Sequence, residues 1–489
     1  MSSSSPVKRF FSQSSHYLTG TTLITLSHLF TFPIFTRVFS VAEYGYLSLI
    51  TVSISTVLAI SKLGLSNSAV RFYEESHAPR GMYTQDQYYS TFFLAACVTG
   101  AVITLLSALA AQLLSGIAFE SSLKSLFLFA SSIIFLRTLT ATLMSFMRGA
   151  QKTKTYNLIE TVTSYVSSGL SILLTLFWIK GLFGFYAGQI IALILLVLLL
   201  AGNILKKHDI RPANFSPGLF RESIRFGLPF VGLEFLNHIL TYGDRFFINL
   251  FCPPEALGIY SVGYNLSGYV SNMIMVPLSC AATPILIRTW TQEGPEATSR
   301  FLASSVRYLT LFFFPAIMGF IALDEELIKI LASEKYAGAA AIVPYAVIGI
   351  GFFALSNITN AGLIIHKRSD RILLHSAVAA ILNTVLNIIL IPRFSILGAA
   401  IATLVAYAWF FISITRSSYS RLQFSVPVGK IVLYFSCAVG MYLTIIMITF
   451  QSLYLTIMSR IAIGAMLYSL LILFFDSDIR MRTKRILSL

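Results

Sequence analysis

Glu234, Asn237, His238, Thr241 and Arg245 recur at steps of three and four residues inside an otherwise apolar run. At 100° per residue they fall within about 100° of arc, a polar stripe on a helix whose other faces are Leu, Phe and Ile. Asp244 lies at its edge. Such a row suits contact with a charged ligand, or exchange of a proton or sodium ion at Glu234, Asp244 and His238. A polar seam between helices accounts for the same pattern without a ligand. Arg137, the second candidate, lies midway along "LFLFASSIIFLRTLTATLMSFMRG", with Thr140 and Arg148 on its helical face. It is either a structural pair or a cation offered to an anion. Lys62, near the inner end of an earlier run, either snorkels to the interface or joins this set. His28 and His375, alone in apolar helices, read as packed residues.

These charges matter because of the elements that must hold them. The chain has 489 residues, 56% hydrophobic and only 11% charged, with a mean hydropathy of +0.78. Apolar runs of about 20 residues recur throughout, long enough to cross a hydrocarbon core of about 30 Å as helices. The expected fold class is therefore an all-α integral membrane protein with about fourteen transmembrane helices. A charge at the centre of a bilayer costs roughly 2.5–3.5 kcal/mol on insertion scales, so each one requires a partner or a purpose. The amino terminus lacks a small-residue cleavage site after its basic Lys8 and Arg9, so it reads as retained. Cys97, Cys252, Cys280 and Cys437 show no paired spacing and read as small packing residues, with no metal site expected.

Basic residues crowd the connections on one side, among them Arg148, Lys152, Lys206, Lys207, Lys367 and Arg368. The other side carries few, beside Asp324, Glu325, Glu326 and Glu334. The positive-inside rule then places both termini in the cytoplasm. Topology thus accounts for the formal charge of +15, and no nucleic-acid partner is expected. No connection is long enough for a separate domain, the longest polar stretches being roughly 66–88 and 206–222, which argues against an enzyme.

Gly45 in "EYGYLS" and Gly258 in "ALGIYS" lie 213 residues apart, and basic loops at Lys152 and Lys367 lie 215 apart. Gly184 and Gly398 are separated by 214. These offsets argue for two parallel six-helix lobes, an architecture of transporters. The expected division is an amino-terminal lobe at 1–205, a cytoplasmic linker at 206–222, a second lobe at 223–416, and a carboxy-terminal helix pair with a tail at 417–489.

The stretch "TRVFSVAEYGYLSLITVSISTVLAISKLGLSNSAVRFYEE" resembles the amino-terminal signature of the polysaccharide transporter family. These are the Wzx-like O-antigen and exopolysaccharide flippases of the multidrug/oligosaccharidyl-lipid/polysaccharide (MOP) superfamily. The residues that carry it are Arg37, Glu43-Tyr44-Gly45, Gly64-Leu65 and Ala69 to Tyr73. "GLPFVGLEFLNHILTYGDRFFI" resembles the family's seventh helix. The resemblance implies a flippase in the bacterial plasma membrane that moves an undecaprenyl-diphosphate-linked oligosaccharide repeat unit, for O-antigen or another surface polysaccharide, by alternating access. It implies membrane lipids and the polysaccharide polymerase machinery as partners, with H+ or Na+ coupling and no cofactor. In that setting Arg137, Arg245, Lys62 and Arg37 are candidate substrate contacts, Arg37 at an outer mouth. The opening turn also reads as a plain hairpin, with Glu43 at a helix start and Tyr44 and Tyr46 in the interfacial aromatic belt. Alternatives from the residues are a MATE-like cation-coupled drug exporter and a membrane-embedded polymerase or ligase. No GxxxxGK[ST] phosphate loop occurs.

Overall fold

Large apolar side chains point outward, the reverse of a water-soluble core. Leu105, Leu198, Trp178, Met447 and Phe474 are all exposed, as a lipid-facing surface requires. The computed structural model describes residues 6–78, 81–113, 121–270 and 276–481, and among them every regular element is helical. The side chain of Cys280 lies outside the described residues, while Cys97, Cys252 and Cys437 are free thiols.

By internal contacts the chain divides into Met1–Gly258 and Ile259–Leu489. The first unit holds α1 (Pro6–Val38), α2 (Val41–Ser61), α3 (Leu65–His77), α4 (Gln85–Leu113), α5 (Ser121–Gly149), α6 (Thr153–Leu173), α7 (Leu182–Leu205), α8 (Pro217–Tyr242) and α9 (Asp244–Phe251). The division falls within α10 (Pro254–Val270). The second unit continues with α11 (Val276–Ile321), α12 (Asp324–Leu331), α13 (Val343–Thr359), α14 (Ala361–Ile365), α15 (Ser369–Tyr419), α16 (Val428–Ile445) and α17 (Leu453–Phe475). The sequence repeat put the seventh span at the head of a second lobe, whereas α8 packs on α2, α3 and α4 of the first unit. Repetition in sequence records ancestry; contacts record packing.

Ten segments are long and apolar enough to cross a membrane among the described residues, against about fourteen read from the sequence. One of the ten, α15, is two helices joined at Ser395 (φ 52°, ψ −135°), shortly after Pro392, and they correspond to the expected spans 372–391 and 396–415. The charges Arg221, Glu222, Arg225 and Glu234 keep α8 outside the ten, and α10 has only 17 residues. The stretch 66–88, read as a polar connection, contains α3. Leu65, Ala69 and Phe72 are buried along one face of it, a spacing that makes a helix out of a polar composition.

Polar side chains inside the first unit are satisfied locally or across helices. Ser53 and Thr138 donate to carbonyls one turn back, at 2.8 Å each. The hydroxyls of Ser61 and Thr138 meet at 2.8 Å between α2 and α5, and Ser68 donates to the Ser223 carbonyl at 2.7 Å between α3 and α8. Small residues and hydroxyl bonds of this kind replace the hydrophobic effect, which is weak between helices already in lipid.

The hairpin between α1 and α2 follows the plain reading. Ser40 Oγ accepts from Glu43 N at 3.1 Å, and Glu43 Oε2 accepts from Ser40 N at 2.7 Å, a closed capping box. Tyr44 departs from its expected place in the aromatic belt. It is buried, edge-on to Phe32 at 6.2 Å, because its position on α2 faces α1.

Candidate functional site

The sharpest feature of the first unit starts at a glycine. Gly64 adopts φ 69°, a left-handed turn that lets α3 follow α2 almost without a break. A Cβ there would lie 2.4 Å from Gly227 Cα, so the turn sits directly on the backbone of α8. Lys62 caps α2 just before this turn. Glu234 lies two helical turns beyond Gly227 and shares its face. The Lys62 ammonium consequently reaches Glu234 and pairs with it. Both side chains are partly accessible, at 20% and 38%.

His238 follows one turn later on the same stripe, within electrostatic reach of Glu234 and Lys62. Its ring lies 5.6 Å from that of Tyr242, and its Nδ1 is buried without a hydrogen-bond partner. Glu234, Asn237, His238 and Thr241 line a cavity of about 360 Å³, joined by Asn67 from α3 and by Phe230, Leu233 and Tyr242. Four members of the stripe read from the sequence therefore share one wall.

Arg245 and Asp244 do not join them. The chain passes from α8 to α9 with helical dihedrals at Gly243 (φ −61°, ψ −29°), and where α9 packs on α2 both side chains are buried, each 1% exposed. Arg245 Nη1 donates to Asp244 Oδ1 at 3.1 Å, Nε donates to Ser48 Oγ at 3.2 Å, and the guanidinium lies 5.0 Å from the Tyr242 ring. A helical wheel puts Arg245 on the stripe; burial against Ser48 of α2 takes it out of the cavity.

Arg137 on α5 makes no hydrogen bond or ion pair among the described residues. Its side chain is exposed. An arginine midway along a membrane helix is costly to leave facing lipid. Glu160 on α6 acts on it electrostatically and also feels Arg148, while the Tyr156 hydroxyl bonds Glu160. Arg148 lies 5.9 Å from the Tyr156 ring, with its Nε buried and unpartnered. His28 on α1 lies within electrostatic reach of Arg137. Arg37, exposed at the end of α1, donates to the Pro33 carbonyl at 2.9 Å and belongs to neither group.

Glu160 and Asn67 escaped the sequence reading. Glu160 stands four residues inside the expected fifth span, 156–178, where a carboxylate passes as interfacial. Its isolation in an apolar run was the available signal. Asn67 fell in the stretch read as a connection.

The sequence profile of the family described as "Polysaccharide biosynthesis protein" matches residues 34–341, more than half of the chain. The Man(5)GlcNAc(2)-PP-dolichol translocation protein RFT1 of Eremothecium gossypii is 28% identical over 155 residues, 30% of this chain and 28% of that protein. The chain thus matches little more than a quarter of that relative's length. Among solved structures, the lipid II flippase MurJ in an inward closed conformation superposes with a TM-score of 0.80 at 16% identity, covering 94% of this chain and 98% of MurJ. An inward-facing multidrug resistance MATE transporter of the MOP superfamily gives 0.69 at 13% identity, over 82% of this chain and 94% of that one. A MOP superfamily transporter from Pyrococcus furiosus gives 0.61 at 16% identity, over 86% and 96%. At such identities the likeness establishes the fold. These relatives are described as a flippase, a translocation protein and transporters rather than as enzymes. The chain belongs to the polysaccharide biosynthesis protein family and carries the helical fold of MurJ and the MATE transporters.

Proposed function

We propose that the protein is a flippase for lipid-linked oligosaccharides, moving undecaprenyl-diphosphate-linked repeat units of a surface polysaccharide from the cytoplasmic to the outer leaflet of a bacterial plasma membrane by alternating access. The observation that carries this reading is Arg137, an exposed cation midway along a membrane helix with no hydrogen bond or ion pair among the described residues. A diphosphate loses its hydration on entering hydrocarbon, a cost that makes unaided passage prohibitive. Charge-assisted hydrogen bonds from Arg137, Arg148 and Lys62 offset that cost while the polyprenyl tail stays in lipid. The relatives described as a lipid II flippase and as a dolichol-linked oligosaccharide translocation protein support the same substrate class.

An exporter of organic cations needs an accessible carboxylate. Here Lys62 occupies Glu234, and Arg137 and Arg148 act on Glu160, so the balance of these groups favours an anion. Coupling to H+ or Na+ belongs to the proposal, with Glu234 and His238 as its groups and Asp244 reassigned to holding Arg245.

The test is export of polysaccharide in cells whose own flippase is deleted. Arg137→Ala should lower export about 10- to 100-fold at equal membrane expression, from roughly 1.5–3 kcal/mol per charged hydrogen bond. Arg137→Lys should retain part of it, keeping the charge but losing the two-pronged fork. Normal export by both variants would reject Arg137 as a headgroup contact.

A further inference from the structure

Lys62 and Glu234 raise a question that the flippase reading leaves open: a lysine already paired with a carboxylate is not available to a phosphate. We infer that the pair is an exchangeable counter-ion, in which a diphosphate displaces Glu234 from Lys62 and His238 takes up a proton as it does so. This rests on the reading of the protein as a carrier of diphosphate-linked lipids and specifies how its α8 cavity binds that group.

Three observations converge. Glu234 lines an accessible cavity and Lys62 pairs with it there, with side chains 38% and 20% exposed. By contrast, the Asp244–Arg245 pair nearby is 1% exposed on both sides, which shows what a permanent pair looks like in this fold. His238 stands one turn from Glu234 with its Nδ1 buried and unpartnered, so the ring has an unused polar position. The charges facing it are few: Glu234 on its own helix and Lys62 from the end of α2. Tyr242 lies against its ring, Arg245 sits beyond Tyr242, and Asn67 from α3 is neutral.

The charge balance dictates the outcome. Without ligand, Lys62 and Glu234 cancel, and His238 gains little by protonation beside a neutral pair. When phosphoryl oxygens accept the Lys62 N–H bonds, the Lys62–Glu234 contact breaks and the carboxylate loses its counter-charge. The site then holds the ligand's negative charge in addition to that of Glu234. A proton from water binding to the His238 ring restores part of the balance, and no bond in the ligand is made or broken. Proton and anion binding are therefore linked, each strengthening the other by the same factor.

The experiment is calorimetry on the full-length protein in nanodiscs at pH 7.5, in two buffers of different ionisation enthalpy, with the protonation of the probe itself subtracted. The probes are inorganic pyrophosphate and undecaprenyl diphosphate. Binding of both marks the diphosphate as sufficient, and binding of the lipid alone marks the whole headgroup and tail; either is expected to carry uptake of up to one proton. Affinity should tighten as pH falls from about 8 to 6, by up to about tenfold per unit for one linked proton. His238→Gln should abolish the uptake and the pH dependence. Glu234→Gln, which removes the competitor, should bind pyrophosphate about tenfold or more tightly, and Lys62→Ala should bind it more weakly. Binding by the unaltered protein without uptake, uptake that persists in His238→Gln, or weaker binding by Glu234→Gln would each overturn the exchange while leaving the flippase reading standing. No binding of either probe would overturn both.

Discussion

Arg137 and Arg245 are the same residue type in membrane helices of one unit, and their surroundings give them different work. Arg245 is buried with Asp244, Ser48 and the Tyr242 ring around it. Its charge holds the junction of α8 and α9. Asp244→Asn should therefore lower stability by about 3–5 kcal/mol, the usual cost of stranding one member of a buried pair. A drop in the thermal unfolding midpoint in detergent would record it; an unchanged midpoint would return Asp244 to the list of coupling groups. Arg460 in the second unit repeats the structural pattern. It donates to the carbonyls of Ala322 at 2.6 Å and Ile448 at 2.9 Å, and to Glu326 Oε1 at 2.9 Å. Its Nε and Nη1 are both bonded, whereas Arg137 makes no such bond among the described residues.

At the scale of elements, close backbone approach sets which side chains meet. Gly45 and Gly258, matched by the sequence repeat, lie against each other: a Cβ on Gly45 would come within 2.8 Å of Gly258 N and 2.7 Å of the Pro254 carbonyl. Gly64 and Gly227 make a second such contact, and the Lys62–Glu234 pair depends on it. Gly227→Ala places a methyl group 2.9 Å from Gly64 Cα and the Leu63 carbonyl, so α8 must shift. A loss of about 1–3 kcal/mol is expected. On the same helix, a Cβ on Gly232 would meet nothing within 4 Å. Gly232→Ala should stabilise by about 0.5–1 kcal/mol through helix propensity. Opposite signs for the two variants in thermal unfolding would support the tight crossing; equal effects would deny it.

For the whole molecule, the charge asymmetry of the loops yields a topology test. Cysteines introduced near Glu255 and Glu334 should react with an impermeant reagent from outside, and those near Lys206 and Lys367 should not; outside labelling at Lys206 would reverse the assignment. The ends of the second unit also titrate differently. Burial disfavours the charged form of Asp476, but hydrogen bonds from Lys430, Tyr434 and Arg307 outweigh it and hold its carboxyl well below the usual range. That latch stabilises at neutral pH and weakens as pH falls below the ordinary carboxylate value. Asp324, the first residue of α12, behaves oppositely. Burial first, then the charges of Glu325 and Glu326, push it up from 3.8 to about 6. The folded protein then holds a proton that the unfolded chain has lost, so its contribution fades as pH rises from about 4 to about 6. Asp324→Asn should gain about 1 kcal/mol at pH 7, discounted for partial exposure, and nothing below pH 4. Midpoints at both pH values would show it, and an equal gain at both would contradict the assignment.

Composition and run length alone determine that this chain is a bundle of membrane helices, because burying peptide groups in hydrocarbon leaves little else for a sequence so apolar. Helical periodicity likewise determines that Glu234, Asn237, His238 and Thr241 share a face, since that pattern needs only local geometry. Partners are another matter. Lys62 meets Glu234 across 172 residues only because Gly64 and Gly227 let two backbones touch, and no periodicity encodes that crossing. Arg245 is buried against Ser48 of α2, a neighbour that no helical wheel contains. Glu160 looked interfacial until α5 and α6 set it between Arg137 and Arg148. The grouping of α8 with the first unit is likewise a matter of packing, which the repeat does not specify. The sequence determines which residues are too costly to leave alone in a membrane; tertiary structure decides which are satisfied by one another, because charge pairing at a few ångströms depends on how helices cross.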